Sequence, residues 1–160
     1  MALPDSTQLR NDFNDRRDVR RVVSVVSPTC DDCLAGLSLL FEAIDAAVHI
    51  APLVLWLGML PGDASEAAEE SAKRFAADPP ALHYWEEEGW PVSTRLREVL
   101  RIGPYDPTRS AWDVYLLYEP GVEWGKGDPP APDAWAYNTR DDLLGGQRLS
   151  KAVVRDWVRD

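Results

Sequence analysis

Residues 22–36 read VVSVVSPTCDDCLAG: a β-branched run, a Pro-centred break and the opening of a helical pattern. The run from Arg20 to Ser27 is short and β-branched, which predicts a buried strand. Behind the break, Leu34, Leu37, Phe41, Ile44 and Val48 recur at three- and four-residue steps, with Leu39 and Leu40 apolar on another side. That pattern predicts a helix buried on more than one face. Both cysteines of the chain, Cys30 and Cys33, fall at the joint between the two elements.

A Cys-x-x-Cys at a strand-to-helix joint reads as thiol redox chemistry. A helix N-terminus offers free N–H groups and partial positive charge, both of which stabilise a thiolate. Spacing of three brings the second sulfur back over the first turn, within reach of a disulfide. Cys30 is therefore expected as the exposed attacking thiol and Cys33 as the buried resolving one. The competing reading is two small apolar residues at a helix start, with no redox role. Zinc needs four ligands, and only His49, at a helix end, and His83, in a short strand, could add nitrogens. Both read as structural residues, so neither a metal nor a cofactor is expected. Soft-metal capture by the two thiols alone stays as a lesser alternative.

Working outward, Leu53–Leu57 predicts a second strand, and Pro61-Gly62 turns the chain. Asp63 with Glu66 is spaced as a capping box for a helix to Ala76, with Ala68, Ala72, Phe75 and Ala76 inward, stopped by Asp78-Pro79-Pro80. Ala81–Trp85 predicts a short strand, and a helix from Ser93 buries Leu96, Val99 and Leu100. Asp113–Tyr118, the Pro120-Gly121 turn and Val122–Trp124 predict a hairpin, because Pro presets φ and Gly accepts a positive one. Ser150 is placed to cap a last helix, with Leu149 and Val154 at staple positions and Trp157 and Val158 on its apolar stripe. The order β-α-β-α-β-α-β-β-α implies a three-layer α/β domain, a partly parallel sheet covered by helices. Residues 1–18 lack periodicity and are expected as a mobile leader. The domain spans 19–160, with an irregular Pro/Gly-rich segment at 125–147.

Composition narrows the function. The chain has 160 residues, 45% hydrophobic and 28% charged, which suits one globular domain. A net charge of −10 disfavours nucleic acid and anionic membrane as partners. The stretch Ala46–Leu60 is too short to span a bilayer, and the N-terminus has no signal-peptide pattern, so a cytoplasmic location is expected. Three further groups have plain structural readings. His83-Tyr84-Trp85 with Trp90 and Trp112 read as core. Glu86–Glu88 and the cluster Arg16, Arg17, Arg20 and Arg21 read as solvated charge. No phosphate loop, dinucleotide fingerprint or serine-nucleophile motif is present.

VVSVVSPTCDDCLAG, together with WDVYLLYEPGVEW at residues 112–124, resembles the thioredoxin superfamily, in particular a group of bacterial thioredoxin-like proteins. The helix and strand between Gly62 and Trp85 resemble the insertion of peroxiredoxins and cytochrome-maturation thiol proteins. The resemblance implies a thioredoxin-like fold and a thiol–disulfide oxidoreductase. Its partners would be a disulfide-containing protein or small thiol and a separate reductant. It also implies that Pro28, Thr29, Asp31, Asp32, Trp112 and Asp113 surround the cysteines and bind substrate or tune them. Asp113 stands where thioredoxins carry a cis-proline and peroxiredoxins an arginine, and Val23 replaces the proline that precedes a peroxidatic cysteine. Substrate docking should therefore differ, and peroxidase chemistry by that route is not expected. Asp31 and Asp32 either cap the helix from solvent or oppose a nearby thiolate. A non-catalytic interaction module and a thiol-based redox or soft-metal sensor are the alternatives.

Overall fold

Strand β1 (Arg20–Val26) is buried along all but its first residue, because it sits inside the sheet with a helical layer on each side. The computed structural model describes residues 2–44, 49–76, 80–87, 90–102, 111–139 and 146–159. Around β1 the chain runs α1 (Ser6–Asp15), α2 (Asp31–Ile44), β2 (Ile50–Leu57), α3 (Ser65–Arg74) and β3 (Leu82–Glu86). It continues with α4 (Pro91–Leu100), β4 (Val114–Tyr118), β5 (Ala134–Tyr137), β6 (Gln147–Arg148) and α5 (Lys151–Val158).

The strand order is β3-β2-β1-β4-β5-β6. β1, β2 and β3 are parallel, β4 runs antiparallel to β1, and β5 antiparallel to β4. Alternation along β1 divides the core in two. Val23 and Val25 join Leu9 and Phe13 of α1 and Leu96 and Leu100 of α4. Val22 and Val26 join the apolar stripes of α2, α3 and α5. The expected three-layer mixed sheet is therefore the observed one.

Several expectations are corrected. Residues 1–18 are not a bare leader: Asp5 caps α1, whose Leu9 and Phe13 are buried in the core. Two apolar residues four apart make one helical stripe, too small to show as periodicity. Arg21 is not solvated. It is fully buried, with its guanidinium 4.1 Å from the Phe13 ring centre and donating to the carbonyls of Phe13, Val122 and Glu119. Glu86 is buried as well, and its carboxylate accepts from the backbone N–H groups of Val92 and Ser93 at the start of α4.

The hairpin takes a different partner. Gly121 has φ +94, as the turn requires, but Val122–Trp124 forms no strand. Those residues are engaged elsewhere: Val122 by Arg21, and Trp124 by a two-way bond to the Asn14 amide. The neighbour of β4 is β5, inside the segment expected to be irregular. Helix α3 starts at Ser65 without a side-chain cap, so Asp63 is not half of a capping box. Of its expected inward residues, Ala68 and Phe75 are buried, Ala72 is intermediate and Ala76 exposed. Ser150 does cap α5, accepting from Val153 N–H at 3.2 Å. Val48, Asp78, Pro79, Glu88 and Gly89 lie outside the described residues, as do 140–145. Among the described residues no helix is long and apolar enough to cross a membrane.

Candidate active site

Strand β1 delivers the chain into Ser27-Pro28-Thr29-Cys30, and one carboxylate fixes that loop. Ser27 Oγ lies 2.8 and 3.0 Å from the two oxygens of Asp63, and Thr29 Oγ1 donates to the same group at 2.6 Å. Asp63 also accepts from the N–H groups of Met59 and Leu60, at 3.1 and 2.8 Å. The loop before the cysteines is thus tied to the loop after β2. Cys30 then occupies the N-cap position of α2: its carbonyl accepts from Leu34 N–H at 3.0 Å, and its sulfur from Cys33 N–H at 3.3 Å.

The two thiols differ in setting. Cys33 is 0% exposed and Cys30 8%, so the attacking thiol is more enclosed than the sequence suggests. Trp112, half-buried, packs against the same apolar cluster. Cys30 is held below the usual thiol range, first by the Cys33 side chain as hydrogen-bond partner and then by the Cys33 N–H. Burial, Asp113 and Asp32 oppose this. Cys33 is pushed far up, mainly by burial, then by its bond to Cys30 and by the charge of Asp113. One proton held between two sulfurs, with the helix N–H groups favouring Cys30, gives this ordering.

Asp113 closes the site from β4. It is fully buried, has φ +55, and places a carboxylate oxygen within 4.8 Å of both sulfurs. Aspartate tolerates this left-handed conformation better than most residues. Its Oδ1 lies 2.9 Å from the Tyr115 hydroxyl, which is also 3.2 Å from the Cys33 carbonyl. Its Oδ2 makes no hydrogen bond of normal geometry among the described residues, and the Cys33 thiol is the donor beside the carboxylate. Burial pushes the Asp113 carboxyl up to about 6, with Tyr115 pulling the other way. Asn138 completes the frame: its N–H donates to the Asp113 carbonyl at 3.2 Å and its amide to the Asp32 carbonyl at 2.8 Å.

Of the residues named from the sequence, Cys30, Cys33 and Asp113 converge. Asp32 is half-buried and contributes charge at Cys30, whereas Asp31 is exposed. Pro28 is buried in the turn, and Thr29 is exposed apart from its bond to Asp63. Four site residues went unrecognised in the sequence: Asp63, Tyr115, Asn138 and Gly36, the last packed beneath the Tyr115 ring. Only Asp63 had a signal, and it pointed to a cap. The histidines lie elsewhere. His83 accepts from Trp56 Nε1 and donates to the Phe75 carbonyl, and burial lowers its pKa. His49 Nε2 sits 2.9 Å from the Val158 carbonyl.

No family model matches the chain, and no curated protein matches it significantly. Solved structures do. A secreted Mycobacterium tuberculosis disulfide oxidoreductase homologous to E. coli DsbE superposes with a TM-score of 0.53 at 12% identity, covering 90% of this chain and 83% of that one. M. tuberculosis DsbF, in mixed oxidised and reduced forms, gives 0.51 at 11% identity, covering 88% and 79%. A thioredoxin-like protein from Aeropyrum pernix covers 62% of each chain at 12% identity, with a TM-score of 0.43. The chain has the thioredoxin-like fold expected from its sequence, with a Cys-x-x-Cys pair at the start of α2.

Proposed function

We propose that this protein is a thiol–disulfide oxidoreductase that reduces a protein or small disulfide through Cys30 and Cys33. One observation carries the reading. Cys30 sits at a helix N-terminus with its sulfur accepting the Cys33 N–H, while Cys33 is wholly buried behind it. A pair so arranged divides attack from resolution. The similarity to a disulfide oxidoreductase supports it.

In the first step the Cys30 thiolate attacks a substrate sulfur, forming a mixed disulfide and releasing the other substrate sulfur as a thiolate. Cys33 then gives up its proton and attacks the Cys30 sulfur. The second substrate thiolate leaves, Cys30 and Cys33 are oxidised to a disulfide, and the substrate has gained two electrons. Cys33 needs a base to do this, and the Asp113 carboxylate is the group beside it. A separate dithiol reductant restores the pair. Negative charge from Asp113 and Asp32 beside Cys30 offsets part of the thiolate stabilisation that Cys33 supplies, which keeps the pair less oxidising than that stabilisation alone would make it.

The test is insulin-disulfide reduction by dithiothreitol. The wild type should accelerate precipitation of the insulin chains, and Cys30→Ser should not. A wild type no faster than the buffer control would favour the non-catalytic interaction module instead.

A further inference from the structure

The carboxylate that serves Cys33 as a base in the proposed cycle also stands as a third donor atom beside the two sulfurs. Cys30, Cys33 and Asp113 each offer a ligand atom, and all three lie within 4.8 Å of one another. In a tetrahedral zinc site, with zinc–sulfur bonds near 2.3 Å and zinc–oxygen bonds near 2.0 Å, donors stand about 3.5–3.8 Å apart. The observed bound is about 1 Å wider, within the range of a side-chain torsion. Asp113 is fully buried; Tyr115 bonds its Oδ1, and beyond that only the weakly donating Cys33 thiol is at hand for the carboxylate among the described residues, with no geometric hydrogen bond to Oδ2. A buried carboxylate oxygen served at best by a weak thiol donor is costly to keep ionised, and a cation that displaces the thiol protons satisfies it more fully.

We propose that the reduced protein binds one zinc ion through Cys30 Sγ, Cys33 Sγ and an Asp113 carboxylate oxygen, with water in the fourth position. The donor set decides the metal class: two thiolates select a borderline-soft cation, and one carboxylate is an accepted zinc ligand. Cys30 is the donor that keeps some exposure, so water completes the coordination from its side. Binding moves no electrons; the thiol protons leave and two zinc–sulfur bonds form. A Cys30–Cys33 disulfide has no thiolate to offer, so metal and oxidation exclude one another. The proposal does not rest on the oxidoreductase reading, because a pair that never exchanges disulfides would bind zinc equally well.

The experiment is anaerobic titration of the reduced full chain with cobalt(II) as an optical probe, then zinc competition against a chromogenic chelator. One equivalent should give thiolate-to-cobalt charge-transfer and tetrahedral d–d bands, and zinc should abolish them. Asp113→Asn should weaken zinc binding at least tenfold, and the oxidised protein should bind none. Unchanged affinity in a folded Asp113→Asn, or equal binding by the oxidised form, overturns the proposal. X-ray absorption of the zinc-loaded wild type reads the donors without a substitution. Two sulfurs with oxygen supports the site. Four sulfurs, from two chains sharing an ion, or none, overturns it.

Discussion

The Tyr115 hydroxyl stands where a β-carbon on Gly36 would have to be, so β4 and α2 meet at a contact only glycine permits. In an exposed helix, Gly→Ala stabilises by about 1 kcal/mol. Here the sign should reverse. Gly36→Ala should cost about 1–3 kcal/mol, the usual range for overpacking a core. Denaturant melts with an unchanged slope check this, and a raised midpoint would refute it.

Cys30 should alkylate much faster than Cys33, with a rate that rises through an apparent pKa below that of an ordinary thiol. Cys33→Ala removes the hydrogen-bond partner that contributes most to this lowering, so the Cys30 pKa should climb. Iodoacetamide labelling against pH, read by mass spectrometry, measures both. Equal labelling of the two cysteines contradicts the assigned roles.

Asp113→Asn keeps an acceptor for Tyr115 while removing the charge. In chelator-treated protein, Cys30 should then ionise at lower pH and the reduction potential should rise, by about 30 mV for each tenfold change in the equilibrium. Thiolate absorbance and glutathione titration are the readouts.

The same carboxyl makes stability depend on pH in a definite direction. Its folded pKa, about 6, lies above the unfolded value near 3.9. A raised pKa means the folded state holds the proton more tightly, so the contribution is full below about pH 4 and is lost as pH rises through 6. The loss should approach about 3 kcal/mol by pH 8, from two pKa units at about 1.4 kcal/mol each. Asp113→Asn should remove this slope, and urea melts at pH 4, 6 and 8 would display it.

Arg21→Lys should destabilise the protein although charge is conserved. One ammonium cannot reach the carbonyls of Phe13, Val122 and Glu119 together, so at least one is left unpaired at about 1–3 kcal/mol. A loss under about 0.5 kcal/mol in urea would show that α1 is held by apolar packing alone.

What was legible in the sequence was local. The β-branched run, the Leu stripe and the Cys-x-x-Cys each declare themselves within a dozen residues, and they fix the centre of the site. Asp113 could be placed beside the sulfurs because the fold-level resemblance aligned its strand. The rest depends on partners far along the chain. Arg21 and Glu86 look like surface charge until Glu119, Val122 and the start of α4 are folded onto them. Likewise, Val122–Trp124 loses its strand role to Asn14 and Arg21, residues about 100 positions away. Asp63 has the spacing of a cap, and only the nearby Ser27 and Thr29 reveal that it clamps a loop instead.

The order of the sheet also sets a schedule for synthesis. The parallel half, β1 to β3, is complete in sequence before β4 emerges, and the cysteines lie on its rim. Asp113, Tyr115 and Asn138, which close the site, follow Cys33 by 80 residues or more. At about 5–20 residues per second, a ribosome makes the two thiols roughly 4–16 s before Asp113. For that interval they belong to a half-sheet that lacks the carboxylate, so Cys33 has its apolar packing before it has its base.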